Sequence, residues 1–271
     1  MMYPKIDLAV LESVLKTILF FDAFGKSVSK ANIDQYLIEQ QSNIESIEIS
    51  LAVLEDLEII KKEDDRYSLF ARNNSEIKIQ SESRRISLRN KFLFKVIGSL
   101  ETIRGVYSFT NLNDIETIVL DLSGLNKPNL ANKICNWTSK ITSKKVVYVS
   151  RFYKPDSTNI FQSFALAKLS PIINPVALEK LINRDNENYK IFPNRVVNHN
   201  GVLKPLRPKS MAMVRKPVFN VNPVSDCEFF EVVQETINAK DLLANWDKNQ
   251  ILYKQWFQPR LSKLNRKYQL V

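Results

Sequence analysis

Glycine occurs only 5 times in this 271-residue chain, where average usage would give roughly 19. The shortage excludes folds built on glycine-rich phosphate loops, and no GxGxxG fingerprint, P-loop or nucleophile elbow is present. Histidine is rarer still. The single residue, His199, leaves no material for a histidine-based triad and reads as an ordinary loop residue. The two cysteines, Cys135 and Cys227, lie far apart and outside any CxxC spacing, so neither a zinc site nor a redox pair can be built from them. Nowhere do 18 apolar residues run together, and Asp7, Glu12 and Lys16 interrupt the only apolar stretch near the start. These absences predict a cytoplasmic protein with reduced thiols and no membrane segment.

Charge is plentiful but unevenly placed. The net charge is +10. Residues 1–100 carry 14 Lys/Arg against 15 Asp/Glu, whereas residues 101–271 carry 25 against 14. No acid occurs between Asn188 and Ser225, a stretch holding Lys190, Arg195, Lys204, Arg207, Lys209, Arg215 and Lys216. From Lys248 onward there is again no acid, and Arg260, Lys263, Arg266 and Lys267 cluster near the end. Blocks of one sign create a field that attracts polyanions, nucleic acid above all, or the acidic surface of a protein.

The N-terminal segment has helical periodicity. Leu8, Leu11, Leu15, Ile18 and Leu19 recur at helical spacing until Gly25 ends the run. Ser29 is placed to cap a second helix with Ile33, Tyr36 and Leu37, and a third is predicted over about 44–58. Ile59 to Lys62, the turn Glu63-Asp64-Asp65, and Arg66 to Phe70 then read as a hairpin. Three helices and a hairpin are the order of a winged helix. The third helix of such folds usually enters the major groove of DNA. Here it carries Glu45, Glu48, Glu55, Asp56 and Glu58 and no cation, so it would repel phosphates. A protein partner is the better expectation for this module, with a DNA-binding regulator as the alternative.

Further on, residues 83–95 read as a basic helix with Ile86, Phe94, Ile97 and Leu100 available for a core. Thr117–Leu122 and Lys145–Ser150 read as strands, with a helix over Asn129–Ile141 between them and helices over 160–169 and 176–189 after them. Alternation of this kind predicts an α/β layer. Gly201 to Pro223, with prolines 205, 208, 217 and 223, reads as an extended basic loop. A helical tail follows, bearing Phe230, Val233, Ile237, Trp246, Tyr253 and Trp256, with Pro259 expected to end it and both tryptophans expected to pack on the core.

Residues 18–25 (Ile-Leu-Phe-Phe-Asp-Ala-Phe-Gly), residues 65–72 (Asp-Arg-Tyr-Ser-Leu-Phe-Ala-Arg), the basic helix at 84–95, then Phe161, Ala165, Lys168, Pro171 and Ile172, and finally Phe192-Pro193-Asn194 share an order and spacing. Over about residues 17–195 the chain resembles a family of bacterial proteins in which a winged helix precedes a nucleotidyltransferase domain. The resemblance implies a Gly-Ser pair that opens a helix and holds a nucleoside triphosphate. It also implies an Asp-x-Asp on the next strand that binds two Mg²⁺ ions. Asp114 and Glu116 match the metal pair, and alternate strand residues share a face. Ser108 stands at the serine position, but Tyr107 replaces the glycine, and only five residues separate Ser108 from Asp114. Placing Gly105 in the glycine's role puts Val106 where the serine belongs.

The expectation is therefore an α/β (α+β) chain. Residues 1–75 form a winged helix, 76–200 a nucleotidyltransferase-like domain with a mixed sheet, and 201–271 a basic proline-rich loop and helical tail. Its expected function is that of a degenerate nucleotidyltransferase-like protein that binds nucleic acid (RNA or single-stranded DNA) or an acidic protein partner through its basic C-terminal half. No cofactor is then expected. The alternative is an active nucleotidyltransferase using Mg²⁺ and NTP at Asp114 and Glu116.

Overall fold

The computed structural model describes residues 7–70, 88–110, 116–125, 127–150, 160–182, 191–194, 196–199, 202–205, 229 and 240–268. Their helices and small sheets make an α+β architecture.

The first helix, α1 (Leu8–Ala23), starts where the Asp7 carboxylate accepts the Ala9 and Val10 N–H groups. This satisfies two of the donors that a helix start leaves open. It ends before Gly25, whose φ of 71° suits glycine. β1 (Val28–Ser29) leads into α2 (Lys30–Gln35), capped by the Ser29 hydroxyl as its spacing predicts. Then come α3 (Ile44–Asp56), β2 (Ile60–Glu63) and β3 (Arg66–Leu69). The strands form an antiparallel sheet in the order β1-β3-β2. Asp64 and Asp65 both adopt positive φ, the mirror-image turn that suits the twist of a two-residue hairpin.

The second segment opens with α4 (Leu88–Gly98), followed by β4 (Gly105–Thr110), β5 (Glu116–Asp121), α5 (Pro128–Thr142) and β6 (Lys145–Val149). Next come α6 (Ile160–Ala167), β7 (Ser170–Ile173), α7 (Pro175–Ile182), and the strands β8 (Val196–His199) and β9 (Val202–Pro205). The main sheet is mixed, in the order β6-β5-β4-β7. β5 and β6 run parallel through the α5 crossover, and the other pairs are antiparallel. Val106, Ile118, Leu120, Val146 and Tyr148 point from one face of this sheet into a core completed by Phe94 and Ile97 of α4 and Ala131 and Cys135 of α5. The opposite face carries Tyr107, Phe109, Val119 and Val147, all buried, and Phe109 meets Phe229 edge-to-face at 5.4 Å.

Several expectations need correction here. Leu100 stays 48% exposed rather than joining the core, because it lies beyond the end of α4. Ser170–Ile173 is a strand, in the gap between the helices predicted over 160–169 and 176–189, where no strand was expected. Its pairing with β4 shifts register at Val106/Tyr107, which accommodates Pro171 at the sheet edge. His199 and Lys204 lie in the β8–β9 hairpin rather than in loop, paired with Val202 and Val197 respectively. Ile86 lies outside the described residues.

The tail is helical from Lys240 to Tyr268. α8 (Lys240–Leu252) widens into a π-helical stretch (Tyr253–Phe257) and continues as α9 (Gln258–Tyr268). Pro259 does not end the helix. The preceding wide turns relax the clash its ring would make with an α-helical carbonyl, so the helix passes the proline at the cost of one ladder bond. Leu242, Trp246, Asn249, Tyr253, Phe257 and Leu261 form the buried stripe. Trp256 falls one position off it and is 58% exposed, contrary to the expected packing of both tryptophans.

The chain forms two compact units. One comprises residues 1–79, 190–195 and 238–271, the other residues 80–189 and 196–237. In the first, α8 packs along α1, where Asn249 Nδ2 donates to the Leu19 carbonyl (2.9 Å) and to Asp22 Oδ2 (3.1 Å). Phe192 also belongs to this unit, in ring contact with Phe20 and Tyr36. Among the described residues no helix is long and apolar enough to cross a membrane.

Candidate functional site

The residues matched to a nucleotide site lie on β4, β5 and the connection between them. Gly105–Thr110 is a strand pairing with both β5 and β7, so Tyr107-Ser108 does not open a helix. Tyr107 is fully buried. Its ring folds back over Gly105 and its hydroxyl donates to Asp121 Oδ2 at 3.3 Å, while the Ser123 N–H donates to Asp121 Oδ1 at 3.0 Å. Ser108 Oγ faces the Ser170 carbonyl at 3.5 Å across the sheet. These groups serve the sheet. Backbone N–H groups used in a ladder are not free to cradle phosphate.

Glu116 begins β5 opposite Thr110. Lys144, which leads into β6, sets its ammonium 2.9 Å from Glu116 Oε2, and the carboxylate is only 15% exposed. An ammonium there already neutralises the charge that a divalent cation would need. Asp114 lies outside the described residues. Among the described residues no three His, Cys, Asp or Glu side chains come together as a metal site requires.

Of the cationic candidates, Lys190, Arg195, Arg207, Lys209, Arg215 and Lys216 lie outside the described residues. Lys204 is on β9, in the second compact unit. Arg260, Lys263, Arg266 and Lys267 are all on α9, in the first. α9 contains four cations and no acid. Arg260 and Lys263 are exposed and line an open cleft of 510 Å³ together with Leu264 and, from the end of α3, Leu57 and Glu58. The Arg260 guanidinium lies 5.8 Å from the centre of the exposed Trp256 ring. The cleft thus offers two cations against one acid, two leucines and an aromatic face beside it. Leu57 and Glu58 were not anticipated as lining residues, since nothing local in α3 announces where the tail docks. The exposure of Trp256 could have been found by extending the stripe 242-246-249-253-257-261 along the tail.

The acidic character of α3 carries over to its surface. Glu45, Glu48, Glu55 and Asp56 are exposed, and Lys30 bridges Glu48. Comparison with protein-family models, with curated proteins and with solved structures finds no match to this chain.

Proposed function

We propose that this chain is a catalytically degenerate nucleotidyltransferase-like protein that binds nucleic acid through its basic C-terminal half. The observation that carries the reading is α9, an acid-free helix whose Arg260 and Lys263 border a cleft beside the exposed ring of Trp256. Cations at that spacing suit phosphates, and an exposed indole suits the face of an unpaired base. The loss of catalysis is supported by Tyr107, a buried strand residue at the position where a phosphate-binding glycine would stand, and by the Lys144 ammonium on Glu116. The order α1-β1-α2-α3-β2-β3 with its antiparallel sheet supports a winged helix at the N-terminus. Its exposed acids favour a protein partner for that module over a DNA groove.

The test is binding of fluorescein-labelled U20 and dT20 by anisotropy, with salt varied. The affinity should fall steeply as salt rises. Replacing Arg260, Lys263, Arg266 and Lys267 by Gln should reduce the slope of log K against log salt by up to about 3, at about 0.7 per single-strand phosphate contact. An unchanged affinity and slope would exclude α9 as the contact.

A further inference from the structure

The second compact unit carries an independent surface of the same chemistry. α4 and α5 cover one face of the mixed sheet, and their inward residues Phe94, Ile97, Ala131 and Cys135 define which sides face outward. Opposite them on α4 stand Phe92, Lys95 and Val96, and on α5 Lys133, Trp137 and Lys140, all exposed. Phe92 is 68% exposed and Trp137 53%, large values for aromatic rings on well-formed helices. Between Leu88 and Leu100, and again between Leu122 and Lys145, the chain has no acid, and Lys127 and Lys145 are exposed at the ends of the α5 segment. Glu101 is the first acid beyond α4.

We propose that the outward face of α4 and α5 is a binding surface for single-stranded nucleic acid, with Phe92 and Trp137 as base-stacking platforms and Lys95, Lys133 and Lys140 as phosphate contacts. The composition selects this occupant. The core of a protein–protein interface is depleted in lysine, and here lysines alternate with the aromatic rings. A helix lying in a membrane surface needs a long continuous apolar face, whereas on α4 Phe92 and Val96 make only a short exposed apolar pair, flanked by Lys95. Flat rings among ammonium groups match a chain of unpaired bases and phosphates, because every base offers a π-face regardless of sequence. α4 packs over β4 and β7 and α5 over β6, on the same face of the sheet, so an extended strand such as U20 is long enough to reach both.

The experiment follows intrinsic fluorescence of the full-length chain in a Trp256→Phe background. The remaining tryptophans, excited at a wavelength that spares tyrosine, are then Trp137, which is exposed, and Trp246, which is buried. U20 should quench the exposed component, and salt should reverse the quench. Phe92→Ala should weaken U20 binding roughly 5- to 150-fold, the range expected for one lost stacking platform. Lys133→Gln with Lys140→Gln should lower the salt slope by about 1.4. All three side chains are exposed, so circular dichroism and melting should stay as in the parent chain. The surface is excluded if U20 leaves Trp137 unquenched, or if neither variant changes affinity or slope. It is equally excluded if Phe92→Ala converts a sedimenting dimer to monomer while U20 affinity is retained, which would make the face a self-interface. A parallel variant with Arg260 and Lys263 changed to Gln separates the two surfaces. Loss of affinity confined to that variant leaves the α9 reading standing and removes this one, and loss confined to the α4–α5 variants does the reverse.

Discussion

Tyr107 reaches past its own strand neighbour, Gly105, to place its hydroxyl 3.3 Å from the buried carboxylate of Asp121. The arrangement requires a residue without a side chain at position 105, since a Cβ there would lie 2.6 Å from the ring carbon Cζ of Tyr107. Gly105→Ala should therefore displace the ring and cost about 1–3 kcal/mol, as overpacking does in other cores. Tyr107→Phe keeps the ring and removes its hydrogen bond to a buried carboxylate, so it should cost about 1.5–2 kcal/mol. Urea unfolding checks both. A Gly105→Ala protein as stable as the parent would mean that the ring is free to move away.

The Lys144–Glu116 pair gives a prediction about nucleotides. A ligand raises the melting temperature only by binding the folded state. With the Glu116 carboxylate held by an ammonium and Tyr107 buried in the sheet, millimolar Mg²⁺ with ATP, GTP, CTP or UTP should leave the melting temperature within about 1 °C. Lys144→Met would free the carboxylate, and the nucleotides should still produce no shift. A Mg²⁺-dependent shift in the parent, lost on Glu116→Gln, together with transfer of label from an NTP to RNA or protein, would instead establish a working enzyme.

Much of this fold was legible because its signals are local. Gly25 stops α1, Ser29 caps α2, and Asp64-Asp65 turn the hairpin, each through its own backbone preference. The alternation of apolar residues likewise located β5, α5 and β6 to within a residue or two. What stayed hidden depends on distant partners. Ser170–Ile173 becomes a strand because β4 offers it an edge, although Pro171 argues against one. Phe192 joins the N-terminal unit through rings more than 150 positions earlier in the chain. The π-helical stretch that carries the tail past Pro259 has no composition of its own. For the candidate site, the cations of α9 were visible as a charge block, but the cleft was not. The outward aromatics of α4 and α5 were readable in principle, since placing Phe94 and Cys135 inward turns Phe92 and Trp137 outward.

Two amides of α8 bond to α1: Asn245 donates to the Ala23 carbonyl at 3.4 Å, and Asn249 makes the shorter, buried contacts. Asn249 is buried and donates to both the Leu19 carbonyl and Asp22. Asn249→Ala removes both of these bonds, one of them to the buried Asp22 carboxylate. The expected loss is about 2–3 kcal/mol, larger than for a neutral bond because the acceptor is a carboxylate. Asn249→Asp should be worse, since it places two carboxylates together. Thermal unfolding of the three proteins gives the ranking, and a stable Asn249→Asp would refute it.

The last prediction concerns alkaline pH. On the same unit, Lys16 bonds Glu39 at 2.7 Å and Glu12 at 3.2 Å, and the Tyr253 hydroxyl donates to Glu12. Partial burial works against the charged Lys16, but hydrogen bonding and attraction to Glu39, then to Glu12, outweigh it and raise its pKa above 10.5. Burial first, and then the neighbouring Glu12, raise Tyr253 far above its ordinary value of 10.0. In both cases the folded state holds its proton more tightly than the unfolded chain. The stabilisation is thus complete below the unfolded values and is lost as pH rises beyond them. Stability measured by urea should be flat from about pH 7 to 9 and fall steeply above about pH 10.5. Tyr253→Phe should cost about 1 kcal/mol near pH 8 and show a shallower alkaline fall, so that the two curves converge by about pH 12. Lys16→Met should also flatten the fall, at a cost of about 1–2 kcal/mol near pH 8 from the lost ion pairs to Glu39 and Glu12. Parallel curves for parent and variants across the alkaline range would show that neither group loses its proton less readily in the folded chain than in the unfolded one.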